Sequence, residues 1–195
     1  MLCESCRLGL NESVRPISRA GLDGFCLIEY GDLGSALLHA FKSGGFFALG
    51  QSLAARLAVL QPKPTVDLLV AAPSSAEATR ARGFVPAGVI AATLGRAWGL
   101  PVFESCLVRE VADQAGLSAD QRRRNLAGAM AVGQPLSGKT VWLVDDITTT
   151  GSTLAELAAV CRAAGASVAG FSTLAQTSLR HNPSPHLAVE GLNSP

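Results

Sequence analysis

The chain has 195 residues, 48% of them hydrophobic, with 16 basic side chains against 15 acidic ones for a formal net charge of +1. That length suits one α/β domain with a small appendage. The charge balance gives no overall pull toward nucleic acid or a membrane surface, and no apolar run reaches the ~18 residues of a membrane span.

The five cysteines are odd in number and unevenly spread. They read as thiols of a reducing compartment rather than a disulfide framework, so a cytoplasmic location is expected. Met1 to Cys6 carry no basic segment leading into an apolar one, so no signal peptide is expected. Cys3 and Cys6 form a C-x-x-C, and Cys26 follows with Asp23 three residues before it. A second C-x-x-C would complete a zinc ribbon, and here Asp23 stands in the place of its first cysteine. Three readings stay open for Cys3, Cys6, Asp23 and Cys26: a weak zinc site, a ribbon that has lost its metal, or reactive or incidental thiols.

From Gly31 to Leu60 the spacing predicts two helices. Leu33, Leu37, Leu38 and Phe41 form one apolar stripe, Gly44-Gly45 breaks it, and a second amphipathic run extends from about Phe46 to Leu60. Lys42, just before the break, reads either as a solvated helix end or as a phosphate contact. Pro62 and Pro64 mark a linker. Val66 to Ala72 is a strong strand closed by Pro73-Ser74-Ser75, a small turn whose N–H groups can face a ligand. Arg80 and Arg82 before Gly83 could clasp an anion or be solvated. Phe84 to Trp98 reads as a helix, with Gly99 past its end and Pro101 beyond. Val102 to Val108 is a strand ending at Arg109. The polar stretch from Arg109 to Gly133, with Gln114 and the run Gln121-Arg122-Arg123-Arg124-Asn125, reads as a lid over a charged ligand or a solvated face.

Gly133 to Thr140 satisfies the nucleotide-loop pattern G-x-x-x-x-G-K-[ST] letter for letter. That loop works only where a helix starts at the Lys-Thr and aims its N–H groups at phosphates. Here Val141-Trp142-Leu143-Val144 follows, a strand, so Pro135 to Lys139 is expected to be a turn.

The strand runs into Asp145-Asp146, then Ile147-Thr148-Thr149-Thr150-Gly151-Ser152-Thr153, then a helical run from Leu154. An all-apolar strand suits a parallel sheet covered on both faces, and such sheets bind ligands at their carboxyl ends. Two carboxylates there can accept hydrogen bonds from a vicinal diol. The Thr/Gly/Ser loop and the helix N-terminus can hold an anion. Thr153 with Glu156 fits a capping box. Diol acceptors beside a phosphate cradle describe a ribose 5-phosphate; turn chemistry alone is the plainer alternative. The chain ends, after Gly165 and a strand over Ser167–Leu174, in a Pro/Ser/Asn/His-rich tail expected to be flexible. His181 and His186 there have no partner cluster.

Val144 to Thr153 resembles the phosphoribosyl pyrophosphate (PRPP) motif of type I phosphoribosyltransferases. Arg82-Gly83-Phe84, Gln114, Leu117-Ser118, Arg123 or Arg124 with Asn125, Asp145-Asp146 and the cysteine-bearing N-terminus are spaced as in the ComF-type competence family, itself similar to those enzymes. The resemblance covers the chain to about Gln176. It implies an α/β fold: a type I phosphoribosyltransferase-like parallel sheet flanked by helices (31–176), a degenerate zinc-ribbon-like appendage (1–30) and a tail (177–195). It further implies a glycosyltransferase-class activity, with PRPP or a related nucleotide as ligand, Mg²⁺ accompanying PRPP, and Zn²⁺ at the appendage as a further option. In that scheme Asp145 and Asp146 hold the ribose hydroxyls, and Thr148, Thr149, Thr150, Gly151, Ser152 and Thr153 hold the 5-phosphate. Ala72, Pro73, Ser74, Arg82, Arg109 and Gln114 are the pyrophosphate and lid candidates. The family's link to DNA uptake makes the uptake machinery a candidate partner. The alternative is a non-catalytic PRPP or nucleotide sensor, or an uptake adaptor.

Overall fold

The structure, a computed structural model, describes residues 14–29, 31–107, 121, 124 and 127–177, without the side chains of Asp32, Cys106 and Leu107. Seven strands and five helices lie within these residues. In chain order they are β1 (Arg15–Arg19), β2 (Leu22–Glu29), α1 (Asp32–Ser43), α2 (Phe47–Leu60), β3 (Leu68–Ala71), α3 (Ala76–Arg82), α4 (Pro86–Trp98), β4 (Val102–Leu107), β5 (Met130–Val132), β6 (Thr140–Thr148), α5 (Ser152–Ala163) and β7 (Ser167–Gln176).

The strands form one sheet in the order β1-β2-β7-β6-β3-β4-β5. The five central strands pair parallel, while β1 with β2 and β4 with β5 pair antiparallel. The sheet is therefore mixed at its edges rather than parallel throughout. Local alternation carries no signal for an edge strand that arrives from another part of the chain. Residues 15–29, assigned by sequence to the appendage, are two strands of this sheet, with β2 hydrogen-bonded to β7.

The connection from β3 through α4 to β4 runs toward one edge, and that from β6 through α5 to β7 runs toward the other. Right-handed crossovers in opposite directions place their helices on opposite faces. The reversal between β3 and β6 opens a crevice at the carboxyl ends of these two strands. Leu69, Val70 and Ala71 of β3 and Leu143 and Val144 of β6 are fully buried, as an apolar run covered on both faces requires. Ile90 and Leu94 of α4 and Leu154 and Leu157 of α5 cover them. Trp98 ties α4 to α2 by donating from Nε1 to the Ala58 carbonyl (3.2 Å). A buried polar chain crosses the core, in which Trp142 Nε1 donates to Ser172 Oγ (2.7 Å) and Ser172 donates to Gln61 Oε1 (2.7 Å).

The nucleotide-loop look-alike is a turn, as expected. Gly138 has φ +71° and β6 begins at Thr140, so no helix N-terminus faces Lys139 and Thr140. No helix in the described residues is long and apolar enough to cross a membrane.

Candidate functional site

β6 does not stop at Val144. It continues through Asp145, Asp146 and Ile147 to Thr148, paired with β7 as far as Gln176. Consecutive residues of a strand leave the backbone on opposite faces, yet the two carboxyls interact directly, side chain to side chain. Asp145 is buried (7% exposed), and its Oδ1 accepts from the Asp146 N–H (2.8 Å). Asp146 is half-buried; its Oδ1 accepts from the Ile147 N–H (2.7 Å) and its Oδ2 pairs with Lys42 Nζ at 2.8 Å. Lys42 sits in the last turn of α1 and is ion-paired to Asp146 rather than left as a free solvated helix end.

Burial pushes the Asp145 carboxyl up to about 7, the neighbouring Asp146 charge pushes the same way, and the Asp146 N–H and Lys42 oppose them. A carboxyl poised near neutrality beside an ion-paired one is an arrangement concentrated at functional sites.

The loop after β6 turns into α5 at Gly151, whose φ of +82° is the left-handed conformation glycine adopts without strain. Asp145, Ile147 and Thr148 to Thr153 line a small pocket. The Thr148 hydroxyl faces no protein partner although the residue is only 2% exposed. A buried hydroxyl without a partner is rare in a finished core and common where a ligand completes the set. Thr150 and Ser152 share a hydrogen bond (2.8 Å).

The expected capping box is corrected. The N-cap is Gly151, no side chain caps α5, and Glu156 instead accepts from the Gly128 N–H (2.7 Å). The N-terminal N–H groups of α5 are thereby left for a ligand rather than consumed by Thr153.

β3 delivers its turn beside this strand. Ala71 pairs with Val144, and the Ala72 N–H donates to the Val144 carbonyl (2.8 Å). Ala72, Pro73 and Ser74 therefore lie across the crevice from Asp145. Ser75 caps α3 by accepting from the Ala78 N–H (3.1 Å). Arg82, in the last turn of that short helix, donates to Ser74 Oγ (3.1 Å) while its Nε is buried without a partner. Sequence reasoning had no helix at Ala76–Arg82; its seven residues are too few for a periodic stripe, though Ser75 is the N-cap type that announces one.

Arg109 and Gln114 lie outside the described residues, as do Cys3 and Cys6. Cys26 is in β2 with its Sγ directed at the carbonyls of Ile28 (3.0 Å) and Leu174 (3.8 Å); burial raises its thiol to about 12. Asp23, three positions earlier on the strand, is exposed. An odd offset in a strand places the two on opposite faces, so the structure does not bring Cys26 and Asp23 together. Among the described residues no group of three His, Cys, Asp or Glu could hold a metal ion.

Two residues that sequence reasoning left out also reach the site. Arg19 and Ala20, at the tip of the β1–β2 hairpin, pack on Gly151. A Cβ placed on that glycine would lie 3.1 Å from Arg19 Cβ and 3.3 Å from both Ala20 Cβ and Ala20 N. The only sequence signal was Ala20-Gly21 between two strand-like runs. The larger hollow of about 490 Å³ is elsewhere, beside Asp23, Phe25 and Trp142 near the amino ends of the strands.

No family model matches the chain. Among curated proteins, the DNA utilization protein YhgH of Salmonella typhi is 35% identical over 118 residues, 58% of this chain and 51% of that protein. YhgH of Escherichia coli O157:H7 is 42% identical over 69 residues, 35% of this chain and 30% of its own. The match thus spans about half the length of these relatives or less. Among solved structures, adenine phosphoribosyltransferase of Leishmania tarentolae superposes with a TM-score of 0.49 at 13% identity, covering 84% of this chain and 94% of that one. Adenine phosphoribosyltransferase of Saccharomyces cerevisiae gives 0.45 at 16% identity, covering 89% of each. The chain is similar to the YhgH proteins over part of its length, in agreement with the ComF-type resemblance read from the motifs, and its own fold is α/β with a mostly parallel sheet flanked by helices.

Proposed function

We propose that the chain binds PRPP, or a ribose 5-phosphate ligand like it, in the crevice between β3 and β6, and transfers the phosphoribosyl group to a nucleophile with release of pyrophosphate. The observation that carries this reading is the end of β6: two adjacent, interacting carboxyls, then a loop whose buried Thr148 hydroxyl has no protein partner, closing on an uncapped helix N-terminus.

In this scheme the 5-phosphate takes the N–H groups and hydroxyls of Thr148, Thr149, Thr150, Gly151, Ser152 and Thr153. The ribose hydroxyls donate to Asp145 and Asp146. The pyrophosphate lies against Ala72, Pro73 and Ser74, with Arg82 reaching Ser74 and Arg109 and Gln114 as the lid. Departure of pyrophosphate leaves positive charge on the ribose, which the Asp146 carboxylate stabilises electrostatically, so no protein nucleophile is needed. A magnesium ion arriving with PRPP would be held mainly by the ligand's own oxygens, since Lys42 already occupies Asp146 Oδ2. Such an ion would supply charge neutralisation for the pyrophosphate.

The test is titration calorimetry with PRPP and with ribose 5-phosphate, followed by pyrophosphate release in the presence of a panel of bases. Binding of both, with release for at least one base, is expected. Binding without release across the panel would leave the sensor reading. The relatives are named DNA utilization proteins, a name that mentions no phosphoribosyl transfer and so leaves room for that second reading, a sensor or adaptor. Zn²⁺ at Cys3 and Cys6 is a separate proposal, checked by the metal content of the purified protein.

A further inference from the structure

Three features of the β1–β2 hairpin bear on the phosphate loop. Ala20 and Gly21 at its tip have φ +54° and +73°. Two consecutive positive values belong to a tight hairpin turn in which asparagine or aspartate is preferred first. Alanine there is strained, and strain of this kind is retained where the surroundings impose it. The surroundings here are Gly151, against which the Ala20 backbone and methyl pack.

Arg19 makes the second connection. Its guanidinium donates to Gln176 Oε1 (2.7 Å), to the Thr177 carbonyl (3.5 Å) and to the Ser18 carbonyl (2.8 Å). Thr177 in turn donates its N–H to the Thr148 carbonyl (3.0 Å). One arginine thus joins the hairpin to the end of β7, and β7 to the first residue of the phosphate loop. Third, two groups along this path lack partners: Arg19 Nε and Thr148 Oγ1.

We propose that the β1–β2 hairpin is a latch on the phosphate loop and that Arg19 is its positioning residue: the loop takes its anion-binding shape when the hairpin is docked on Gly151 and Arg19 bridges Gln176 and Thr177. The inference rests on the reading of residues 148–153 as a phosphate site. Arg19 acts through the loop and does not itself line the pocket. Coupling of this kind is reciprocal, so a ligand in the loop must also tighten the hairpin.

The experiment compares the wild-type chain with Arg19→Ala, Arg19→Lys and Ala20→Asn, using ribose 5-phosphate as probe and amide hydrogen exchange as a second readout. Arg19→Ala is expected to weaken ribose 5-phosphate about tenfold, the scale of one lost hydrogen bond to a charged group. Arg19→Lys, a point charge without the fork, is expected to recover part of that loss. Ala20→Asn suits the turn but enlarges the side chain against Gly151, so it covers the case in which Arg19→Ala does not fold. It is expected to weaken binding while keeping the thermal midpoint.

Exchange at 15–22 is expected to slow when ligand binds the wild type, and not in Arg19→Ala. Affinity within twofold of wild type in both Arg19→Ala and Ala20→Asn, with exchange at 15–22 indifferent to ligand, overturns the latch. If the wild type binds neither ribose 5-phosphate nor PRPP, the phosphate-site reading fails, and ligand-free exchange decides the latch alone. Faster exchange at 148–153 in Arg19→Ala supports it, and unchanged exchange overturns it.

Discussion

Asp145 illustrates how burial alone can prepare a side chain. In the folded chain its carboxyl is held up to about 7 against an ordinary value of 3.8, mainly by desolvation and then by Asp146. Its folded value is raised, so between these limits the folded state binds the extra proton. Stability then falls as pH rises from about 4 to about 7 and stays low above. The charges facing it are Asp146, which adds to the effect, and Lys42, which opposes it. Asp145→Asn is expected to flatten that decline, matching wild type near pH 4 and exceeding its thermal midpoint near pH 8; parallel curves across the range would sink the assignment. Gly151→Ala tests the other end of the site. At φ +82° an alanine costs about 1–2 kcal/mol in backbone strain alone, before its methyl meets Arg19. Chemical denaturation should register at least that loss. Neither effect was legible in the sequence: two adjacent acids reveal nothing of which is buried, and a glycine reveals nothing of what leans on it.

At the scale of elements, the apolar runs of β3 and β6 were readable because a strand buried on both faces must be apolar throughout. The helices α1, α2 and α4 were readable from their stripes. The short α3 and β5 were not, since seven and three residues hold too little periodicity. The look-alike nucleotide loop shows why context outranks a motif: Lys139 is exposed in a turn that leads into β6. Lys139→Ala should leave ribose 5-phosphate binding unchanged and stability within about 0.5 kcal/mol, as for an ordinary surface site. Leu157 of α5, by contrast, is fully buried. Leu157→Ala should cost about 2–5 kcal/mol, read as a lower denaturation midpoint with the slope unchanged.

For the whole molecule, ligand binding and folding are linked. A ligand at 100 times its Kd stabilises the folded state by about 2.7 kcal/mol, roughly 2–4 °C per kcal/mol for a chain of this size. PRPP is therefore expected to raise the thermal midpoint by several degrees, and the double change Asp145→Asn with Asp146→Asn is expected to abolish the shift. By itself the sequence determined the strands β3, β4, β6 and β7, the position of the acids near a strand end and the loop that follows. Each of these is written in consecutive residues, where hydrophobic pattern and turn chemistry act locally. Only the tertiary structure decided that β1 and β2 join the sheet, that Lys42 crosses to Asp146, and that Arg19 and Ala20 close over Gly151. Those contacts join residues about 100 or more positions apart, and chain direction after a turn is set by packing against the finished sheet, which no local pattern encodes.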